Sequence, residues 1–518
     1  MNPLTQVKKT TALLVIPLAF VCFALVQNTQ AVVPAPDGGY PNNNTAEGQN
    51  ALLSLTTGGF NTANGWLSLR AVTTGSFNTA LGAGTLLANT GDENTATGTA
   101  GLLSNTTGIQ NTANGAFALI RNTTGNNNNA FGFEALFSNT TGPFNNAFGD
   151  GALSANTTGD RNTAMGEGAM IANTTGSQNT AIGVSALRNN TTGFGNIAIG
   201  QDACSQSQGG QLNTGVGWSA LENNAGNFNT ANGAEALFSN TTGSNNTANG
   251  LNALTSNTTG GTNTANGYGA LTSNTTGDRN TAVGQSALTS NTTGINNTAL
   301  GLFALGNTTG HDNIGVGAFA GQNLTTGDFN IDILATGVPG ESNTIRIGDA
   351  TQTATYIAGI SGAVVPGGLT VIVDAGGHLG TVVSSQRFKD EIKPMDKASE
   401  VILALRPVTF RYKKDIDAVG TSQFGLVAEQ VEKVNPDLVV RDADGKPFTV
   451  RYDAVNAMLL NEFIKEHGNV QEQGGTIAEL KKQVAALTAT VKEQAAQIQK
   501  VSAQLEASKP APQVVNNP

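Results

Sequence analysis

No lysine occurs between Lys9 and Lys389, yet thirteen follow from Lys389 to Lys509. A chain that changes its charge vocabulary so sharply is two modules joined near residue 389. Charged residues make up only 12% of the whole and aromatics 5%. That composition excludes an ordinary globular enzyme as the bulk of the chain. There are two cysteines, Cys22 and Cys204, and three histidines. The few charged residues before residue 330, such as Asp92, Glu134, Arg161, Glu167 and Arg279, share no metal-ligand or acid/base spacing. Neither a metal nor another cofactor is expected, and no active site is expected in this stretch. The net charge of −10 argues against a nucleic-acid partner.

The N-terminal segment 1–31 reads as a secretory signal peptide. Lys8 and Lys9 precede an apolar run at 12–26, and Thr29-Gln30-Ala31 supplies small residues for cleavage. The alternative, a retained membrane helix, is disfavoured because the run is near the lower length limit and Pro17 interrupts it. Cys22 follows Val21, which is too large for a lipid-anchor site. The expected destination is secreted or on a bacterial cell surface, with no membrane attachment after cleavage. Cys204 is then the one cysteine left, so no intramolecular disulfide is expected.

What the chain does have is glycine, 65 residues of it, and a repeat. After a linker at 32–43, the segment 44–330 repeats the unit N-T-A-x-G-x-x-A-L-x-x-N-T-T-G-x-x, occasionally shortened by one position. Its starts run from Asn44, Asn61 and Asn78 to Asn313 and Asn330. Numbering each unit from that first Asn gives slots 1 to 17. A Gly in slot 5 and an N-T-T-G in slots 12 to 15 would break a helix twice per unit. The units are therefore β-coils of a solenoid. The expected fold is mainly β: a left- or right-handed parallel β-solenoid or β-roll of about seventeen coils. Slots 3 and 5 are expected to share one strand face of tiny residues, and the Ala-Leu pair of slots 8 and 9 to supply a second strand's bulk. N-T-T-G reads as a turn. Its Asn-Thr-Thr triplets match the glycosylation pattern, but the period explains them as turns. Cys204 sits in the Leu slot as a small buried hydrophobe. Stacking is expected to align the asparagines into ladders.

Residues 331–383 read as a β neck, with strands near Ile345 and Ile357 and punctuation at Gly376-Gly377. From 384 to 470 the pattern is α+β. A helix is predicted over 396–405, a strand over 408–412, a helix over 426–434 and a hairpin turned by Asp444-Gly445. Asp453 is expected to cap a further helix, and Gly474-Gly475 to interrupt it. Apolar residues at Ile477, Leu480, Val484, Leu487 and Val491 fall at heptad positions, so 476–507 reads as a coiled coil. Residues 508–518 are expected to be a disordered tail.

Three motifs carry a resemblance. Ser384 and Lys389 with Arg387 between them fit a Ser-Asp-x-Arg-x-Lys opening. Leu405-Arg406-Pro407-Val408-Thr409-Phe410 fits Leu-x-Pro-Val-x-Phe. Gly425-Leu426-Val427-Ala428-Glu429-Gln430-Val431 fits Gly-(Phe/Leu)-(Ile/Val)-Ala-Gln-Glu-Val. The segment resembles the intramolecular chaperone domain of phage endosialidases and tailspikes, a self-cleaving serine peptidase family. Ser385 stands where that family has Asp. The resemblance implies Ser384 as nucleophile, Lys389 as its base, a cleavage site at Ser384 and Ser385, and a homotrimer. The N-T-A-x-G repeat resembles the heads of trimeric autotransporter adhesins. So little apolar bulk per coil also calls for oligomerisation.

The functional expectation is a secreted or cell-surface trimeric fibre. Its C-terminal domain is expected to act as a trimerisation chaperone that cuts itself off. An adhesin-like rod with a retained chaperone, contacting a surface or glycan, is the alternative. An ice-binding face is a weaker match, since Thr-Ala recurs rather than Thr-x-Thr.

Overall fold

The computed structural model describes residues 40–360, 366, 368–374, 376–442 and 444–508. The segment expected to be a signal peptide, and all of the expected tail except Ser508, lie outside them. The chain divides into two compact units, Met1–Tyr356 and Ile357–Pro518.

The first unit is a parallel β-solenoid. Nineteen three-residue strands form one sheet from Thr45–Glu47 to Ile345–Ile347. Each strand pairs in parallel with the corresponding strand one coil on, as Thr180 does with Ile197 and Ala181 with Ala198. At about 4.8 Å per strand the stack is roughly 85 Å long. The sheet passes beyond Asn330. Ile331–Ile333 pairs with Ile345–Ile347 through a shorter coil, in which Thr344 N–H donates to Asn330 Oδ1 at 3.2 Å. The first predicted neck strand is thus the last rung of the solenoid. Among the described residues, no strand forms near Ile357.

Strands occupy slots 2 to 4, with slot 3 buried and slots 2 and 4 facing outward. Slot 5 is not the next residue of that strand, contrary to expectation. Gly183 has φ 134°, and a Cβ there would lie 2.5 Å from the Gly200 carbonyl oxygen. Glycine is required in slot 5 because a left-handed turn stacks backbone directly on backbone. Nor do slots 8 and 9 form a second strand. Backbone φ is positive in slots 5, 7 and 9, as at Gly183, Ser185 and Leu187. The resulting ribbon still bonds coil to coil: Ser185 N–H donates to Glu167 O at 3.0 Å and Leu187 N–H to Ala203 O at 2.9 Å. Holding a leucine left-handed costs about 1–2 kcal/mol. Burying its side chain returns about 1.5–3 kcal/mol. Leu119, Leu136, Leu153, Leu187 and Leu221 are all fully buried, and Cys204 takes the same slot at 1% exposure. Burial pushes the Cys204 thiol up to about 12, so it stays protonated and packs as a small apolar side chain.

Two ladders of buried asparagine run beside this apolar column. In slot 1, Asn61 Nδ2 donates to Asn44 Oδ1 at 3.0 Å and to Gly75 O at 2.9 Å, and Asn61 N–H donates to the same Asn44 Oδ1 at 2.8 Å. In slot 12, Asn156 Nδ2 donates to Asn139 Oδ1 at 2.8 Å and to Gly159 O at 3.0 Å, while its Oδ1 accepts from Asn173 at 2.7 Å. Each amide thus closes its own N-T-T-G turn and ties it to its neighbours. Slot 13 adds a third row, with Thr157 Oγ1 donating to Thr174 O at 3.0 Å. The slot 12 ladder breaks where Ser207 and Thr308 replace Asn, and the two facing acceptors, Asn190 Oδ1 and Asn291 Oδ1, have no hydrogen-bond partner.

The slot 3 residue of the next-to-last rung is Asp332, where earlier coils hold Ala or Gly. It is 1% exposed and its Oδ2 has no partner. Arg346 is its register partner and makes a 2.7 Å ion pair with Glu341. Burial, then repulsion by Glu341, raise the Asp332 carboxyl to about 6, partly offset by Arg346. A folded value above the unfolded one contributes stability that is present below about pH 4 and lost as pH rises through about 6. Asp332→Asn is therefore expected to match the wild type near pH 4 and to protect 331–333 and 345–347 more strongly at pH 7.5. Hydrogen exchange at the two pH values measures this, and equal protection in both proteins at pH 7.5 would refute it.

The second unit begins with a hairpin, Val371–Val373 against Leu379–Thr381, turned at Asp374 to His378. A 3₁₀ turn at Gln386–Phe388 and a nine-residue 3₁₀ helix at Asp396–Ala404 follow; the latter was expected as an α-helix. The hairpin Val408–Phe410 with Gln423–Gly425 leads to helix α1, Ala428–Val434. A second hairpin, Val439–Arg441 with Pro447–Val450, leads to helix α2, Tyr452–Ala507. Asp453 does not cap α2; it lies in its first turn, where a carboxylate favours the positive helix end. Nor does Gly474-Gly475 interrupt α2. Each glycine costs about 1 kcal/mol, which long flanking runs of helix formers absorb. No helix among the described residues is long and apolar enough to cross a membrane.

Candidate functional site

Ser384 and Lys389 stand at the two ends of one turn. Ser385 leads into the 3₁₀ turn Gln386–Phe388, and Lys389 closes it with its backbone N–H donating to Gln386 O at 3.1 Å. Arg387 lies over the Phe388 ring at 4.6 Å. The turn thus sets the spacing of the two candidate residues by local geometry. It does not join them: both are exposed, and no hydrogen bond links their side chains. A neutral lysine amine requires removal from water.

Beyond the turn, the other two motifs meet. Pro407 and Val408 from one, and Gly425 and Leu426 from the other, line an apolar hollow of about 540 Å³ together with Ile402, Leu405, Tyr452 and Leu459. Tyr452 at the start of α2 accepts a hydrogen bond from Leu426 N–H at 3.0 Å. Among the described residues of this unit, only Val431, Leu438 and Val450 form a buried apolar cluster, with Leu405, Leu426, Val455 and Met458 packed against it. So small a core leaves large apolar side chains uncovered. Phe424 is 82% exposed and Phe463 67%.

One polar cluster escaped sequence reasoning. Ser399 is fully buried, donates to Glu462 Oε1, and accepts from Asn461 Nδ2 at 2.7 Å. Lys465 pairs with Glu462 at 2.7 Å and reaches Ser399 Oγ at 3.4 Å. The Glu462 hydrogen bond keeps Lys465 above the ordinary lysine range, and Lys465 lowers Glu462. A lysine so held is a charged clamp rather than a base. The cluster ties the 3₁₀ helix to α2. Its two sides lie far apart in the chain, so no sequence motif announces it.

Fold and motifs together define a repeat solenoid followed by a chaperone domain. Residues 384–440 match the family model described as chaperone of endosialidase, which places that domain directly at the candidate turn. No curated protein and no solved structure matches the chain.

Proposed function

We propose that this protein is a secreted trimeric fibre, and that its C-terminal domain assembles three chains and then cleaves itself off beside Ser384. The observation that carries this is the chaperone-of-endosialidase match at 384–440, C-terminal to a nineteen-strand solenoid. A stack of near-identical coils offers many equivalent registers, and parallel pairing is slow. A domain that trimerises first removes that ambiguity. Its small core and the exposed heptad face of α2, with Leu480 at 52% and Leu487 at 65%, support assembly through this end.

For the cut, the Ser384 hydroxyl adds to the carbonyl carbon of the peptide bond on its N-terminal side, closing a five-membered ring, and Lys389 takes its proton. The leaving amine receives that proton, and water then hydrolyses the ester, so the net change is hydrolysis of one peptide bond. Both side chains are exposed in the single chain, and assembly supplies the shielding from water that a neutral Lys389 needs. The chaperone therefore acts before the peptidase, and the fibre left behind is held by its unfolding barrier.

Mass spectrometry of the purified protein beside Ser384→Ala and Lys389→Ala tests this. The wild type is expected to release a fragment that begins with Ser384-Ser385, ends at Pro518 and carries the thirteen lysines, and both variants to stay whole. Three identical full-length masses would make the domain a retained chaperone. Light scattering giving a monomer would remove the trimer itself.

A further inference from the structure

The outward face of the solenoid strands carries a pattern that neither the coil interior nor the turns require. Slots 2 and 4 from Thr45 to Ile333 contain a single charged residue, Glu47, although charges occur elsewhere around the coils. Slot 4 is organised in blocks. The first five coils are mainly polar, ending in Asn114. Six consecutive apolar residues run from Phe131 to Val216, then come Asn232, Asn249 and Asn266, and then four apolar residues from Val283 to Ile333. In the first apolar block Phe148 is 37%, Met165 43% and Ile182 37% exposed. Phe131 and Phe148 stack at 4.8 Å, so the row is continuous along the stack.

From this we infer that the slot 2 and slot 4 face is where copies of this chain meet, side by side and in axial register, Asn opposite Asn and apolar opposite apolar. The inference rests on the trimeric assembly proposed above and adds its contact surface. Three features select a second copy as the occupant. An almost uncharged strip spanning the whole stack suits a like surface, since no charge is left unpaired when it is covered. Copies related by an axis parallel to the stack bring coil k against coil k, so every block meets itself. A displacement by one coil sets Asn114, Asn232 or Asn266 against an apolar neighbour. A displacement by three sets the whole Asn block against apolar residues, leaving amide groups unpaired in the contact. The block order is thus a register mark within an otherwise repetitive rod.

Single cysteines introduced into the full chain test this, with the wild type alongside as the blank for native thiols. Slot 4 already holds many residue types, so Ile182→Cys and Asn249→Cys are compatible with the fold. Thr158→Cys, on the exposed turn, serves as the off-face control. Under mild oxidation most of the Ile182→Cys and Asn249→Cys chains are expected to run as covalent dimers, and Thr158→Cys as single chains. Co-assembled, mass-tagged Ile182→Cys and Asn232→Cys chains are expected to give no mixed product. A trimer by light scattering that cross-links through Thr158→Cys and not through Ile182→Cys would overturn the face and leave the trimer standing. A mixed 182–232 product would overturn the register. A monomer would overturn the assembly beneath both.

Discussion

Replacing Gly183 by Val is expected to unravel the stack around coils 179 to 200, whereas deleting Thr158 leaves the protein folded. Gly183 sits at φ 134°, in a region that β-branched residues do not enter, and the new Cβ would lie 2.5 Å from Gly200 O and 2.6 Å from Gly200 C. Those atoms are backbone, and the same contact recurs on either side, since Gly166 faces Gly183 O at 2.4 Å. Relief therefore requires opening coils, not turning a side chain. The loss is expected to exceed about 4 kcal/mol, in the range reserved for backbone strain with overpacking. Thr158 belongs to an exposed turn that nature already shortens, as at Asn89-Thr90-Gly91, where Asn89 still closes on Gly91 O at 2.9 Å. Thermal unfolding and expression yield of the two variants measure the contrast. Equal effects would contradict this coil geometry.

Asn156→Ala is expected to be nearly as damaging, although it removes only a carboxamide. Asn156 gives two hydrogen bonds and receives one, all buried, so its loss strands Asn139 Oδ1 and one Asn173 N–H, while Gly159 O keeps its second bond, from Asn145 Nδ2 at 2.9 Å. Buried groups left unpaired cost about 1–3 kcal/mol each, and a total of roughly 2–5 kcal/mol follows. The converse substitution lies at a natural gap. Ser207→Asn offers a donor to the orphaned Asn190 Oδ1 and is expected to gain about 1 kcal/mol. Denaturant titration of both variants decides the matter. If Asn156→Ala is neutral, the ladder does not hold the coils together.

The constant period, with Asn, Gly and N-T-T-G at fixed places, was enough to reject helices and to assign parallel coils, because glycine and turn chemistry are local constraints. The asparagine ladders were legible too, since a constant period places like residues one above another. The chaperone domain was legible through three short motifs, and the structure brings two of them to one apolar hollow. Local patterns failed wherever the reason was not local. Leucine carries no mark of left-handed backbone, so the ribbon through slots 5, 7 and 9 read as a strand. Stacking on the next coil pays for conformations that no single unit would adopt. The last rung at Ile345–Ile347 was mistaken for a separate neck because its coil is shorter than the period. Helix α2 was cut at Gly474-Gly475 by counting propensity alone, although flanking helix carries it through. Sequence by itself thus determined which segments repeat, where they turn and what the C-terminal domain resembles. Tertiary structure decided the backbone handedness inside each coil, the buried Asp332 at its last turns and the Ser399 clamp, because each depends on residues that meet only when distant chain segments stack or pack.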